Sequence, residues 1–406
     1  MVLDKKTVCR KNIILLLAGR MVSELFTSMF NFGISLYILK ITNAGLPFAV
    51  SLVIGALPKI LFSYVAGNLS DKKNRKKMII VCDTLSGTVL LLFFLLFDFG
   101  NPILGVYIIN FLLSTISVFF SISINGMVPQ IVYEEEHLSR VNAMSQTVSS
   151  LASFLGPILG GLCYENFQIK NFIILNVCSF FISGISELFI VLDRQVVVTK
   201  KSEVQQNKSE INHFLHERKD IYQLIISCAF VNFFLAFGFT VPMPYIVNNV
   251  LKMSSFEYGI LRGSIVVGSL LASVCYSIHK VDSDIVEKYY RSIAGLGIVY
   301  IGFSFTGLVN ANYVLIVLIL IFALSSICIV SINVPLKTML QKEIPNEIRG
   351  RVFGVLNIYL SLAGPIGNVL SGILIDRINA FYIPLFAGMI LIIITLVLKV
   401  NRRVDS

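Results

Sequence analysis

At 406 residues, the chain is 56 % hydrophobic and only 14 % charged, with a mean hydropathy of +0.82. A soluble protein of this size needs far more charge to cover its surface, which excludes a water-soluble enzyme or binding module. The formal net charge of +10 belongs to particular loops and follows membrane topology; it does not mark a nucleic-acid-binding face.

The apolar residues come in runs of about twenty, and a hydrocarbon core of about 30 Å takes about 20 helical residues per crossing. These runs do not alternate polar and apolar residues as transmembrane β-strands do. In chain order, a basic start (Lys5, Lys6, Arg10, Lys11) leads into a predicted span at 13–39. No small-residue cleavage site follows, so this segment reads as a helix and not as a removable signal. Further spans are predicted at 46–67, 77–97, 103–132, 141–163 and 171–192, the fourth reaching the interface near Pro129. A polar stretch of mixed charge and few aromatics then reads as a linker over 193–220. Its end, Ile211 to Leu215, has the pattern of a short helix on the membrane surface. His213 and His216 have metal-like spacing but no further ligand nearby, so no metal or cofactor is expected. Six more spans follow at 221–247, 256–279, 289–308, 312–336, 350–372 and 379–398. The predicted fold is an all-α membrane protein of twelve helices in two pseudo-symmetric six-helix bundles, 1–192 and 221–406.

Lysine and arginine set the orientation. The loops on the side of the two termini carry 26 of them, including Lys72, Lys73, Arg75, Lys76 and Lys77; the opposite loops carry Lys40, Lys170, Lys252 and Arg377. Both termini are therefore expected in the cytoplasm of a bacterial plasma-membrane protein. The seven cysteines lie mostly inside apolar runs without a CxxC pair, and read as packing residues.

Two short matches share an offset of 208 residues. Ser123-Ile124-Asn125 recurs as Ser331-Ile332-Asn333, and Gly156-Pro157-Ile158 recurs as Gly364-Pro365-Ile366, with Glu135 and Glu343 in the same register. A shared register at equivalent places in each half points to a duplicated six-helix unit. Parallel repeats of this kind place a substrate cavity near mid-membrane, with alternating access by rocking.

After the second span comes Gly67-Asn68-Leu69-Ser70-Asp71-Lys72-Lys73-Asn74-Arg75-Lys76-Lys77. Gly67 is expected to allow close helix approach, and Asp71 to cap or pair with a helix end. The stretch resembles the G-x-L-a-D-r-x-G-r-k signature of the major facilitator superfamily. The second glycine of that signature is Asn74 here, a residue able to take the left-handed turn conformation. In the fifth span, Ala152, Gly156, Pro157, Gly160 and Gly161 resemble the antiporter motif of exporters in that superfamily; proline bends the helix and the glycines admit a close neighbour. Gly19-Arg20, Met29 to Phe32, Leu57-Pro58-Lys59, Asp83, Glu135 to Arg140 and Gly350 to Gly354 extend the resemblance to its macrolide-efflux and enterobactin-exporter branch. The resemblance implies proton-coupled export without a cofactor. One departure stands out: the arginine that many such exporters carry in helix 4 is absent, and Ser114 takes its place.

Ionisable residues within spans are functional candidates by default. Glu24 lies about 16 Å along the first helix and Arg20 one turn earlier, as a coupling site or a structural ion pair. Asp83 is a further coupling candidate; with Glu187 it sits nearer the cytoplasmic side, where pairing with the basic loop is expected. Lys59 beside Pro58, and Asn31, Asn125 and Asn333, are candidates for the substrate cavity. Arg262, near an outer helix end, is expected to snorkel or gate. No P-loop or nucleophile–base pair is present, so neither ATP-driven transport nor catalysis has its chemistry. The expectation is a monomeric, proton-coupled exporter of amphipathic small molecules such as macrolide-like drugs or siderophores. An importer or exchanger of a polar metabolite on the same fold and a non-transporting scaffold or receptor remain the alternatives.

Overall fold

A computed structural model describes residues 5–72, 74–131, 135–167, 169–190, 214, 217–278 and 285–405. In chain order the helices are α1 (Lys5–Thr42), α2 (Gly45–Lys72), α3 (Arg75–Leu96), α4 (Pro102–Ile131), α5 (Glu135–Asn166) and α6 (Ile169–Leu188). Helix α7 begins as Lys219–Leu235 and continues through irregular turns to Val250. It is followed by α8 (Ser255–Ile278), α9 (Ile285–Ser304), α10 (Ala311–Glu343), α11 (Asn346–Ile375) and α12 (Tyr382–Asp405). All twelve contain a stretch long and apolar enough to cross a bilayer. In hydrocarbon a helix meets its own backbone donors and acceptors, which is why apolar runs of this length take that form.

Each predicted span overlies one of these helices, though several helices run past it: α1 begins at Lys5, α5 begins at Glu135 and α12 ends at Asp405. Helix α6 ends at Leu188, short of 192. Helix α10 runs on to Glu343, past 336. Helix α11 starts at Asn346, ahead of 350, and runs to Ile375. The linker, with His213 and His216, lies almost wholly outside the described residues.

Two compact units divide the chain. The first comprises Met1–Ile41, Ser51–Lys201 and Ser254–Gly259; the second comprises Thr42–Val50, Ser202–Met253 and Ile260–Ser406. Within the first, Leu16, Ile79, Cys82, Phe120, Ile124, Met127 and Val128 form a buried apolar cluster. Also within it, the Glu165 carboxylate at the end of α5 accepts from the Phe256 backbone N–H at 3.2 Å, near the start of α8.

Within the second unit the core is aromatic. Phe239 stacks on Tyr300 with ring centroids 5.5 Å apart, and Phe303 and Phe322 meet it edge-on. Phe239 sits in a π-helical turn of α7, and a second such turn covers Tyr245–Val250. The cause is local: Pro242 and Pro244 lack backbone N–H groups, so the four-residue ladder is broken there and wider turns replace it. Leu251 N accordingly donates to Ile246 O, five residues back, at 2.8 Å. In the same unit Asp376, just after α11, accepts from the N–H groups of Gly45 (2.7 Å) and Leu46 (3.1 Å). A carboxylate there satisfies orphan donors at the start of α2 and complements its positive end.

Candidate functional site

The polar centre of the first unit is built on α1. Arg20 and Glu24 are four residues apart on one helix face, and Arg20 Nε donates to Glu24 Oε1 at 2.7 Å. The guanidinium also reaches two other helices: Nη1 donates to Asn125 Oδ1 of α4 at 3.1 Å and to Ser145 Oγ of α5 at 2.5 Å. The Arg20 and Glu24 side chains are only 12 % and 28 % exposed, so the pair stands largely within the helices. The planar fork of arginine suits this work, since one side chain meets three acceptors in fixed directions. Three of the sequence candidates, Arg20, Glu24 and Asn125, thus come together.

Ser145 was not among the candidates. A lone serine in a helix carries no sequence signal, and only the packing of α5 against α1 and α4 gives it a partner. Lys59, Asn31 and Asn333 are exposed and lie outside this hydrogen-bonded group. Arg262 is exposed on α8. Ser114 belongs to a separate, neutral contact: its hydroxyl donates to Asn110 Oδ1 at 3.3 Å, and Asn110 Nδ2 donates to Ser51 O of α2 at 2.7 Å.

Asp83 on α3 and Glu187 on α6 differ from the sequence expectation. They are buried, at 2 % and 1 % exposure, and among the described residues neither pairs with the basic loop. Lys76 Nζ, at the start of α3, donates instead to the Leu188 carbonyl at 2.7 Å. The face of the helix on which each sits is turned inward.

The signature segment is held by Arg75. Its Nε donates to Ser70 O at 3.2 Å and its Nη1 to Gly126 O of α4, so it joins the end of α2 to α4. Two expectations need correction. Among the described residues nothing lies within 4 Å of a side chain added at Gly67, so that glycine admits no close neighbour there. Asn74 has φ −67°, ψ 111°, not a left-handed conformation; it is the N-cap of α3, accepting from Lys77 N at 3.2 Å. The Asp71 and Glu135–Arg140 side chains fall outside the described residues.

The glycine motif of α5 is a packing surface. A Cβ at Gly156 would stand 2.5 Å from Ser28 Cβ of α1, and one at Gly160 would stand 3.1 Å from Met29 O. At Gly161 it would be 2.9 Å from the Ser255 carbonyl carbon. Gly364, one repeat later, has nothing within 4 Å, and Pro365 beside it is partly buried within α11. A cavity of about 730 Å³ lies among the end of α2, α3 and α4, lined by apolar residues such as Val81, Leu85, Ile116 and Phe119. None of the Arg20 cluster lines it.

The sequence profile of the Major Facilitator Superfamily matches residues 16–368. The chain belongs to the major facilitator superfamily. Its superfamily relatives include Macrolide efflux protein A of Streptococcus pyogenes, 23 % identical over 400 residues, covering 94 % of this chain and 93 % of the relative. The MFS-type transporter YkuC of Bacillus subtilis (strain 168) is 25 % identical over 413 residues, with 95 % and 90 % covered. A bacterial homologue of the iron transporter ferroportin, crystallised in an inward-facing state, shares the fold with a TM-score of 0.74 at 16 % identity, over 95 % of this chain and 98 % of that one. This superfamily member is a multi-pass transporter, not an enzyme.

Proposed function

We propose that the chain is a secondary active exporter of amphipathic small molecules, driven by proton entry across a bacterial plasma membrane. The observation that carries the reading is the Arg20–Glu24–Asn125–Ser145 cluster within α1, α4 and α5. A proton taken up by Glu24 releases the guanidinium from its carboxylate and changes the charge of the cluster by one. A ligand moves a conformational equilibrium only by acting differently on its two states, and a charge change inside the bilayer is a large difference of that kind. The membrane potential provides about 2.3 kcal/mol per charge per 100 mV, which corresponds to about fifty-fold accumulation. No nucleotide-binding motif competes as an energy source.

The class of substrate follows from similarity along nearly the whole chain to a protein named for macrolide efflux, together with the Gly156-Pro157 motif. In this reading the chain works as a monomer of two bundles, 1–192 and 221–406, with the linker 193–220 and both termini in the cytoplasm. Expression in an efflux-deficient host is expected to raise resistance to macrolide-like or other amphipathic drugs, and a protonophore to cancel the gain. A panel without any change, at verified membrane expression, removes the export reading. Orientation is tested separately with single cysteines and an impermeant thiol reagent on intact cells. Labelling is expected at Asn310→Cys and not at Ser202→Cys; the opposite pattern inverts the topology.

A further inference from the structure

Helices α1, α3 and α6 of the first unit meet around two acids that the Arg20 cluster does not use. Asp83 comes from α3 and Glu187 from α6, and both are almost fully buried. Small residues bring these helices together: a Cβ at Gly184 of α6 would lie 3.6 Å from Asp83 Cβ, and one at Gly19 of α1 would lie 3.6 Å from Glu187 Cγ. Ser23 Oγ of α1 donates to Asp83 Oδ1 at 3.2 Å. Asp83 Oδ2 and both carboxyl oxygens of Glu187 are buried and have no hydrogen-bond partner among the described residues.

The charged and titratable groups around them are accounted for. On α1, Arg20 is committed to Glu24, Asn125 and Ser145. On α3, Lys76 is directed at the Leu188 carbonyl, and Cys82 is a buried neutral thiol. The span of α4 contains no Lys, Arg, Asp or Glu, and Ser183 of α6 donates its hydroxyl to the Gly19 carbonyl at 3.1 Å. Among the described residues no cation faces either acid, and no group of three or more metal-binding side chains converges there. An unpaired carboxylate in such a place costs several kcal/mol, and two adjacent ones repel as well. A metal ion takes four or more ligand atoms, and no group of three or more His, Cys, Asp or Glu among the described residues could supply them. A proton needs only one.

We propose that Asp83 and Glu187 form a proton-binding site inside the first unit, holding a proton between α3 and α6. The assignment goes beyond the export reading and depends neither on Glu24 nor on the direction of transport. Binding converts one carboxylate to a carboxylic acid, and the acid proton becomes a donor for an oxygen that otherwise has none. Release exposes α3 and α6 to the repulsion of two carboxylates, so occupancy favours the close packing of α6 and loss of the proton loosens it.

The test is infrared spectroscopy of the purified full chain in lipid nanodiscs at neutral pH. A protonated-carboxyl band that shifts in D₂O is expected in the wild type and in Glu24→Gln, and its loss is expected in Asp83→Asn/Glu187→Gln. A wild type without the band, or a double variant that retains it, overturns the proposal. Should the double variant not fold, the single variants Asp83→Asn and Glu187→Gln are read in the same way. A band that shifts or weakens in at least one of them upholds the site, and a band unchanged in both overturns it. Absence of drug efflux leaves this band unaffected, so failure of the export reading and failure of this one are told apart.

Discussion

The two units share helix count and repeat motifs, yet their interiors are made of different chemistry. In the first, Arg20, Glu24, Asp83 and Glu187 project inward from α1, α3 and α6. Positions 208 residues later are Cys228, Asn232, Arg291 and Thr395. Cys228 and Thr395 are buried neutral groups, Asn232 donates to the Leu360 carbonyl at 3.2 Å, and Arg291 is an exposed residue paired with Glu287. The second unit fills its centre with Phe239, Tyr300, Phe303 and Phe322 instead. Across this offset the costly charges are divided unequally. Charge inside a bilayer is costly, so the residues that carry it are the functional candidates, and all four of these lie in the first unit.

The comparison breaks most visibly at Glu24. Glu24→Gln is expected to reduce drug accumulation in inverted vesicles from about fifty-fold to none, while sparing exchange between equal pools. The change Asn232→Leu, 208 residues on, is expected to alter accumulation by at most about fivefold, because it removes one neutral hydrogen bond worth about 1 kcal/mol. Arg20→Ala is expected to shift the pH optimum, since the partner of the carboxylate is gone. If Asn232→Leu is as damaging as Glu24→Gln, function is shared between the units and the asymmetry is only structural.

A smaller effect is expected where the repeats carry the same residue in different surroundings. Gly156→Ala drives a methyl group into Ser28 of α1, and overpacking of this kind costs about 1–3 kcal/mol. Gly364→Ala meets no atom within 4 Å and gains helix propensity of about 1 kcal/mol. Thermal unfolding in detergent is expected to fall by about 2–4 °C per kcal/mol for Gly156→Ala, and to stay level or rise for Gly364→Ala. Equal losses at both positions would mean that the motif is a property of the repeat and not of its neighbour.

These pairs also show what the sequence makes legible. Helix number and extent follow from apolar runs against bilayer thickness, and every predicted span has its helix. The Arg20–Glu24 contact is a four-residue spacing within one helix, so it too can be read from the chain. Ser145 cannot, because its importance comes from α5 lying beside α1. Asp83 and Glu187 look interfacial when judged by distance from a span's end, and only the α3–α6 packing shows that they face inward. Gly67 and Gly156 are indistinguishable as letters; one faces open space and the other faces Ser28.

The smallest expected effect is at Asn74, where the superfamily signature has glycine. A glycine there reads as a left-handed turn residue, and asparagine as its tolerated substitute. The backbone is instead extended, and the Asn74 side chain caps α3 by accepting from Lys77 N. Glycine is itself an acceptable N-cap, costing only a few tenths of a kcal/mol against asparagine, whereas alanine costs about 1 kcal/mol. Stability is therefore expected to fall in the order Asn74, Asn74→Gly, Asn74→Ala, with transport retained in all three. A left-handed turn would give another order: Asn74→Gly would be at least as stable as the wild type, and Asn74→Ala would be penalised by about 1–2 kcal/mol of backbone strain. The ranking of glycine against asparagine thus decides whether this loop starts a helix or turns a corner. The second unit offers no copy of the cap for comparison, because the corresponding stretch near 279–284 lies outside the described residues.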